Sequence, residues 1–301
     1  MNLLITGAFS CSNEQIGYIE SLGHKVVFMQ FEKDELPCEY SWIEGIIGNG
    51  IFLHHPIEKF TSLKFIQLTS AGFDRAPMDY ICQKGIKIFN ARGVYSIPMA
   101  EFALGGVLSL YKKLYFFREN QKQHLWVKHR GVQELYGKNI LIVGAGNVGQ
   151  ECAKRFWAMG SEVYGVDVHT FASDFFKEIR LLSELDVLLK KADVVILTLP
   201  LTDQTKNLFD DEKFSKMKQG ALLVNISRGA VVNEYALIKA LNRNLGGAVL
   251  DVFENEPLDN NSPLWDIENV VITPHNSFVG EGNNKRLFEV VLSNLENFKR
   301  G

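Results

Sequence analysis

Arg228, Glu256 and His275 are three side chains whose types together suit proton transfer beside a bound carboxylate. Histidine titrates nearest neutrality, so His275 can exchange the proton that must move on an oxygen when a hydride moves on the adjoining carbon. A carboxylate hydrogen-bonded to the other ring nitrogen fixes the tautomer and stabilises the imidazolium, a role suited to Glu256. A guanidinium holds a carboxylate in a two-pronged fork and stays charged at any physiological pH, which is what Arg228 offers. Singly, each has a plainer alternative. Arg228 would serve as a surface ion pair, Glu256 as a solvated loop charge before Pro257, and His275 as a hydrogen-bonded core or turn residue. Together they suit hydride exchange at C2 of a small 2-keto or 2-hydroxy acid.

The partner for that chemistry is written upstream as Gly144-Ala145-Gly146-Asn147-Val148-Gly149, which directly follows an apolar run and directly opens a helical pattern. In that context Gly144 permits a tight turn and Gly146 lets the backbone approach a pyrophosphate. Gly149 lets the helix pack close, so that its positive N-terminus faces the phosphates. Asp167 stands about 20 residues beyond, at the end of the next strand pattern, where a carboxylate accepts both ribose hydroxyls and repels a 2′-phosphate. NAD is therefore expected over NADP; the alternative role of Asp167 is a strand-end cap. Thr6-Gly7-Ala8 superficially resembles the opening of short-chain dehydrogenases, but Cys11, Ser12 and Asn13 occupy the places where further glycines are needed.

The elements that must position these residues follow from the apolar pattern. Runs at 140–143, 163–166, 194–199, 222–226, 248–251 and 270–273 read as fully buried strands. Helical patterns lie between them at 150–159, 183–190, 211–218 and 233–241, and the alternation predicts a doubly wound parallel sheet. Arg228, Asp251, Glu256 and His275 then fall at or just beyond strand carboxyl ends, where ligands bind in open α/β sheets, so the four are expected to converge. A weaker alternation at 3–6, 25–28, 45–47, 65–68 and 86–90 predicts a second, smaller α/β domain. Residues 97–117, opened by Pro98, are expected to form one long helix joining the two domains. A further helix over 281–299 is expected to return to the first domain. The expected division is 1–97 with 279–301, and 98–278.

Composition sets the frame. A chain of 301 residues with ordinary apolar and charged content has length enough for two cores. Its 32 basic and 35 acidic residues are well mixed and give a formal net charge of -3, so neither nucleic acid nor an anionic membrane is an expected partner. Cys11, Cys38, Cys82 and Cys152 lie far apart without a paired spacing, as reduced thiols do. Histidines elsewhere, the His54-His55 pair included, form no metal-ligand motif, so no metal is expected. The N-terminal segment lacks the basic stretch of a secretory signal, and the longest apolar run, 102–110, is too short to span a bilayer. A cytoplasmic protein is expected.

These motifs resemble the D-isomer-specific 2-hydroxyacid dehydrogenase family over nearly the whole chain. Thr69-Ser70-Ala71-Gly72-Phe73-Asp74 looks like the family's substrate-carboxylate loop. The segment from Asn90 to Glu101 looks like its entry to the interdomain helix, and Leu199-Pro200-Leu201-Thr202 with Thr205 is similar to its cofactor-side loop. The resemblance implies a Rossmann NAD-binding domain and a smaller flavodoxin-like substrate domain. It implies catalysis by Arg228, Glu256 and His275 and cofactor contacts from Gly144, Gly146, Asn147, Val148, Gly149, Asp167, Leu199, Pro200, Thr205, Ser227 and Asp251. It further implies substrate contacts from Asn49, Ala71, Gly72 and Arg228, and a homodimer built largely on the helix from Pro98.

Two departures bear on the substrate. After His275 the chain carries Asn276-Ser277-Phe278 where the family usually has smaller residues, and Gly48-Asn49-Gly50, expected as a substrate wall, carries no arginine to grip a phosphate. An unphosphorylated acid is therefore expected, with selectivity set near Asn49, Ala71, Phe73 and Phe278. Formate dehydrogenases of the same family carry glutamine where Glu256 stands. The competing function is an NAD(H)-sensing binding protein without turnover, as in corepressors of this fold; those carry long extensions, and almost none is expected here beyond the core.

Overall fold

In a computed structural model of the protein, residues 1–300 are described, and Gly301, the last residue of the expected substrate domain, lies outside them. The chain divides after Tyr95 and again after Val279, two residues before and one residue after the limits expected from the sequence. The first unit contains β1 (Asn2–Thr6), α1 (Asn13–Ser21), β2 (Lys25–Met29), β3 (Gly45–Gly48), β4 (Phe65–Leu68), α2 (Met78–Lys84) and β5 (Lys87–Phe89). The second contains α3 (Ser96–Tyr111), α4 (Leu114–Lys122), β6 (Asn139–Val143), α5 (Asn147–Ala158), β7 (Glu162–Asp167), β8 (Glu178–Leu181), α6 (Leu185–Leu189), β9 (Val194–Leu197), α7 (Asp211–Lys216), β10 (Leu222–Asn225), α8 (Glu234–Leu241), β11 (Gly247–Leu250) and β12 (Val270–Ile272). The closing helix, α9 (Asn283–Arg300), belongs to the first unit.

Both sheets are wholly parallel. The smaller has the order β2-β1-β3-β4-β5, and the larger β12-β11-β10-β9-β6-β7-β8. Strand order reverses between β1 and β3 in the first and between β6 and β9 in the second, which places a ligand crevice outside the strand carboxyl ends at those points. The central strands β9, β10 and β11 are buried at every residue, because helices cover both faces. One apolar cluster of the larger unit joins Val143, Leu197, Leu223 and Leu250 to Phe209, Phe214 and Leu237; the cluster on the other face joins Ile142, Ile196, Val224 and Val249 to Ala103, Val107 and Phe156. In the smaller unit, Leu3, Ile5, Ile47 and Phe65 pack with Leu287, Val291 and Leu295 of α9.

Two expectations need correction. The single helix over 97–117 is two helices, because Lys113 adopts φ 54 between them. The Tyr111 carbonyl, which continued helix would pair with residue 115, accepts instead from the Gln133 amide at 2.9 Å, and Lys112 Nζ donates to the Gln133 carbonyl at 2.7 Å. The strand β8 was not expected: Glu-Ile-Arg-Leu is too polar to read as a buried strand, and it survives as an edge beside β7. Helix caps explain the other limits. Asp210 and Asn233 accept from the amides of Lys213 and Ala236, so α7 begins at Asp211, as expected, and α8 at Glu234.

Candidate active site

β6 ends in the glycine loop, where two of the three glycines leave no room for a side chain. Gly144 takes φ 99, and a Cβ on Gly149 would lie 2.2 Å from the Gly144 carbonyl oxygen, so the start of α5 can press directly against the turn. At Gly146 a Cβ would meet nothing within 4 Å. An unfilled space thus faces the first turn of α5, whose amides lack intrahelical partners, and a pyrophosphate fits it. Thr198 Oγ1, just after β9, donates to the Gly144 carbonyl at 2.6 Å and ties the two strand ends at the switch point.

Asp167 ends β7 half-buried, with Oδ2 accepting from the Ala145 amide at 2.6 Å and Oδ1 from the Val168 amide at 2.7 Å. Each oxygen keeps a lone pair, so this carboxylate can receive ribose hydroxyls while remaining fixed to the glycine loop. Asn147 and Val148 stand at the open start of α5, and Leu199 and Pro200 follow β9. Thr205 is buried. Its hydroxyl donates to the Pro200 carbonyl and accepts from the Thr202 amide, both at 2.7 Å, so it shapes the loop from within. Ser227 is likewise buried, its hydroxyl bound to Asn225 Oδ1 at 2.9 Å.

The acid/base pair lies along the same sheet edge. His275 Nδ1 and Glu256 Oε2 are 2.8 Å apart, and Glu256 Oε1 accepts from the Phe253 amide at 3.1 Å, which fixes the carboxylate and through it the ring. The His275 side chain keeps 43% of its exposure. Nε2 is therefore the nitrogen left for a substrate oxygen. His275 adopts φ 51, a strained conformation for a residue with a side chain. Its amide donates to the Asp251 carbonyl at 2.8 Å, and the Phe278 ring meets the imidazole edge to face at 6.0 Å.

Asp251 departs from its expected role. It is completely buried, and its carboxylate accepts from Thr273 Oγ1 at 2.6 Å, the Asn276 amide at 2.7 Å and the Ser277 amide at 2.9 Å. It clamps the turn that carries His275 and presents no surface to a cofactor. Arg228 follows β10, its Nη1 donating to the Ser227 carbonyl at 2.8 Å and its own carbonyl accepting from Asn225 Nδ2 at 3.1 Å. Beside it, a Cβ on Gly229 would fall 1.8 Å from the Phe253 carbonyl oxygen. The loops bearing Arg228 and Glu256 therefore touch backbone to backbone. The larger unit brings Arg228, Asp251, Glu256 and His275 to one sheet edge.

The expected substrate-carboxylate loop lies in the smaller unit, after β4. Its first four carbonyls are all occupied: Thr69 by the Tyr95 hydroxyl, Ser70 by the Ala91 amide at 2.9 Å, Ala71 by Asn90 Nδ2 at 2.6 Å and Gly72 by Ser70 Oγ at 2.9 Å. These bonds hold the backbone around Ala71 and Gly72 in place. The sequence analysis missed Asn90 and Tyr95 in this role; their signal was membership in the quoted 90–101 motif. Among the described residues no group of three or more His, Cys, Asp or Glu side chains is arranged to hold a metal ion, and no helix is long and apolar enough to cross a membrane.

Comparison with known proteins agrees with this geometry. Residues 104–277 match the family model described as D-isomer specific 2-hydroxyacid dehydrogenase, NAD binding domain. A glyoxylate reductase of Korarchaeum cryptofilum is 33% identical over 251 residues, covering 81% of this chain and 75% of that protein. A D-isomer specific 2-hydroxyacid dehydrogenase family protein from Aeromonas salmonicida superposes with a TM-score of 0.86 at 31% identity, over 100% of this chain and 96% of the other. D-lactate dehydrogenase from Aquifex aeolicus, solved with NAD and lactic acid, gives a TM-score of 0.79 at 26% identity, over 100% and 96%. The cradle built from Gly144 to Gly149, the His275–Glu256 pair at one sheet edge and these matches together make the chain a member of the D-isomer-specific 2-hydroxyacid dehydrogenase family and an NAD-dependent oxidoreductase.

Proposed function

We propose that the protein reduces a small, unphosphorylated 2-keto acid to the D-2-hydroxy acid. The observation that carries this reading is the His275–Glu256 contact of 2.8 Å, on the sheet edge that also bears Arg228. NAD, when bound in its reduced form, supplies the hydride; Gly144, Gly146, Asn147, Val148, Gly149, Asp167, Leu199 and Pro200 would hold it, with Thr205 and Ser227 shaping its loops. Arg228 binds the substrate carboxylate, and the family resemblance implies further substrate contacts from Asn49, Ala71 and Gly72. His275 Nε2 gives its proton to the keto oxygen, and Glu256 stabilises the imidazolium and holds Nδ1 as a donor. In the reverse direction the same nitrogen takes the hydroxyl proton.

The protein acts, in this reading, as a cytoplasmic homodimer. Support for the dimer comes from the larger unit, where α3 buries Pro98, Ala100, Ala103 and Val107 inward while a Cβ at Gly105 on its outer side would meet nothing within 4 Å. Just beyond, Trp126 is 96% exposed, with Leu114, Tyr115 and Tyr136 exposed as well, side chains that a partner protomer would cover. The test is a panel of 2-keto acids followed by the absorbance of NADH and, in parallel, NADPH. Turnover of at least one unphosphorylated acid is expected, with NADH favoured by about tenfold or more because Asp167 repels a 2′-phosphate. NADH binding without turnover of any acid would favour the sensor instead.

A further inference from the structure

Thr6, which begins the Thr6-Gly7-Ala8 segment that the cofactor cradle leaves unused, meets a carboxylate from elsewhere in the smaller unit. Glu32, in the loop after β2, accepts from Thr6 Oγ1 at 2.8 Å through Oε1, from the Asn49 amide at 2.7 Å through the same oxygen, and from the Gly50 amide at 2.7 Å through Oε2. The fit is close. A Cβ on Gly48 would lie 2.7 Å from Glu32 Oε1, and one on Gly50 3.3 Å from Oε2. Thr6 ends β1 and Gly48 ends β3, so Glu32 sits across the strand pair at which the order of the smaller sheet reverses. That is where an open α/β sheet places its ligand. The Asn49 side-chain oxygen is buried there without a hydrogen-bond partner among the described residues.

We propose that Glu32 positions the Asn49 wall and selects against keto acids that carry a second negative charge. The proposal rests on the keto-acid reading above and specifies its substrate class: a monoanion with an uncharged tail. Two mechanisms combine in one carboxylate. Its three accepted hydrogen bonds fix the backbone from Asn49 to Gly50, and its half-buried charge raises the cost of a second anion at the wall. The neighbouring cation is Arg75, whose stem passes 3.8 Å from where a Gly50 Cβ would stand. Arg75 forms no ion pair with Glu32 among the described residues, so the Glu32 charge is not cancelled by direct pairing.

Pyruvate and oxaloacetate differ by one carboxylate on C3 and make the test. The unaltered enzyme should favour pyruvate in kcat/KM by about tenfold or more, the size of one charge interaction in a half-buried setting. Glu32→Gln should reduce that ratio about tenfold, chiefly through KM, with the KM for NADH unchanged. Glu32→Asp should raise KM for both acids yet keep the discrimination. An unchanged ratio in the glutamine variant overturns the proposal, as does a wild-type preference for oxaloacetate that Arg75→Ala abolishes. The unaltered protein gives an independent arm that does not depend on any variant folding: raising the salt should narrow the preference for pyruvate, and a preference that widens contradicts it. If the wild type turns over no keto acid at all, the activity reading fails together with this one. Turnover with the wrong ratio fails this one alone.

Discussion

At the residue scale, the proposed catalysis comes down to how one imidazole is held. His275 pays for its left-handed backbone with bonds on every side: its amide to the Asp251 carbonyl, its Nδ1 to Glu256, and the following amides of Asn276 and Ser277 to the Asp251 carboxylate. Replacing Asp251 by asparagine keeps the shape but turns a donor toward one of three donors that now face an acceptor. Leaving a buried donor unpaired costs about 1–3 kcal/mol. Asp251→Asn should therefore lower Tm by several degrees and reduce kcat about tenfold or more as the turn loosens, while NADH affinity, set by the separate glycine loop, changes little. Thermal melting and fluorescence titration with NADH check the two halves. Equal losses of NADH affinity and of kcat would return Asp251 to the cofactor. That Arg228, Glu256 and His275 come to one sheet edge was legible in the sequence, because each follows the carboxyl end of an apolar strand pattern. The clamping role of Asp251 was not, because it depends on the direction a buried side chain takes.

At the element scale, strands were the most legible part. A parallel strand covered on both faces must be apolar throughout, as Val194–Leu197 and Leu222–Asn225 nearly are. The edge strand Glu178–Leu181 escaped notice for the converse reason. The break between α3 and α4 was equally unreadable, since it is made by Gln133, 22 residues beyond Tyr111 along the chain. Glu32 belongs to the same class: its partners Thr6 and Asn49 meet it only once three strands have assembled. The glycine loop, by contrast, is local, and so is its test. Gly149→Ala puts a methyl 2.2 Å from the Gly144 carbonyl oxygen and must push α5 off β6. Overpacking of this kind costs about 1–3 kcal/mol, and NADH affinity should fall about tenfold or more. Calorimetric titration with NADH checks it, and unaltered affinity would detach the cofactor from this loop.

At the scale of the whole molecule, the burial of cysteines gives a readout of folding and the apolar surface a readout of assembly. Cys152 is fully buried, and burial pushes its thiol up to about 12, so it should resist alkylation until the larger unit unfolds, whereas exposed Cys82 reacts at once. The proposed dimer predicts a mass of two protomers by light scattering. Trp126→Asp combined with Tyr115→Asp should shift the protein toward monomer, since two charges on an apolar patch penalise its burial. A monomeric parent protein would contradict the dimer and leave the chemistry untouched.

The central claim is that His275, held by Glu256, carries the proton. The most direct measurement is kcat for reduction of the preferred keto acid by His275→Ala, taken beside the dissociation constant for NADH. Loss of positioned general acid catalysis removes about 10²–10⁴-fold in rate. The predicted result is a fall in kcat of that size with NADH affinity within about twofold of the parent, because the glycine loop does not depend on the imidazole. Turnover by the alanine variant at the parent rate would contradict the account.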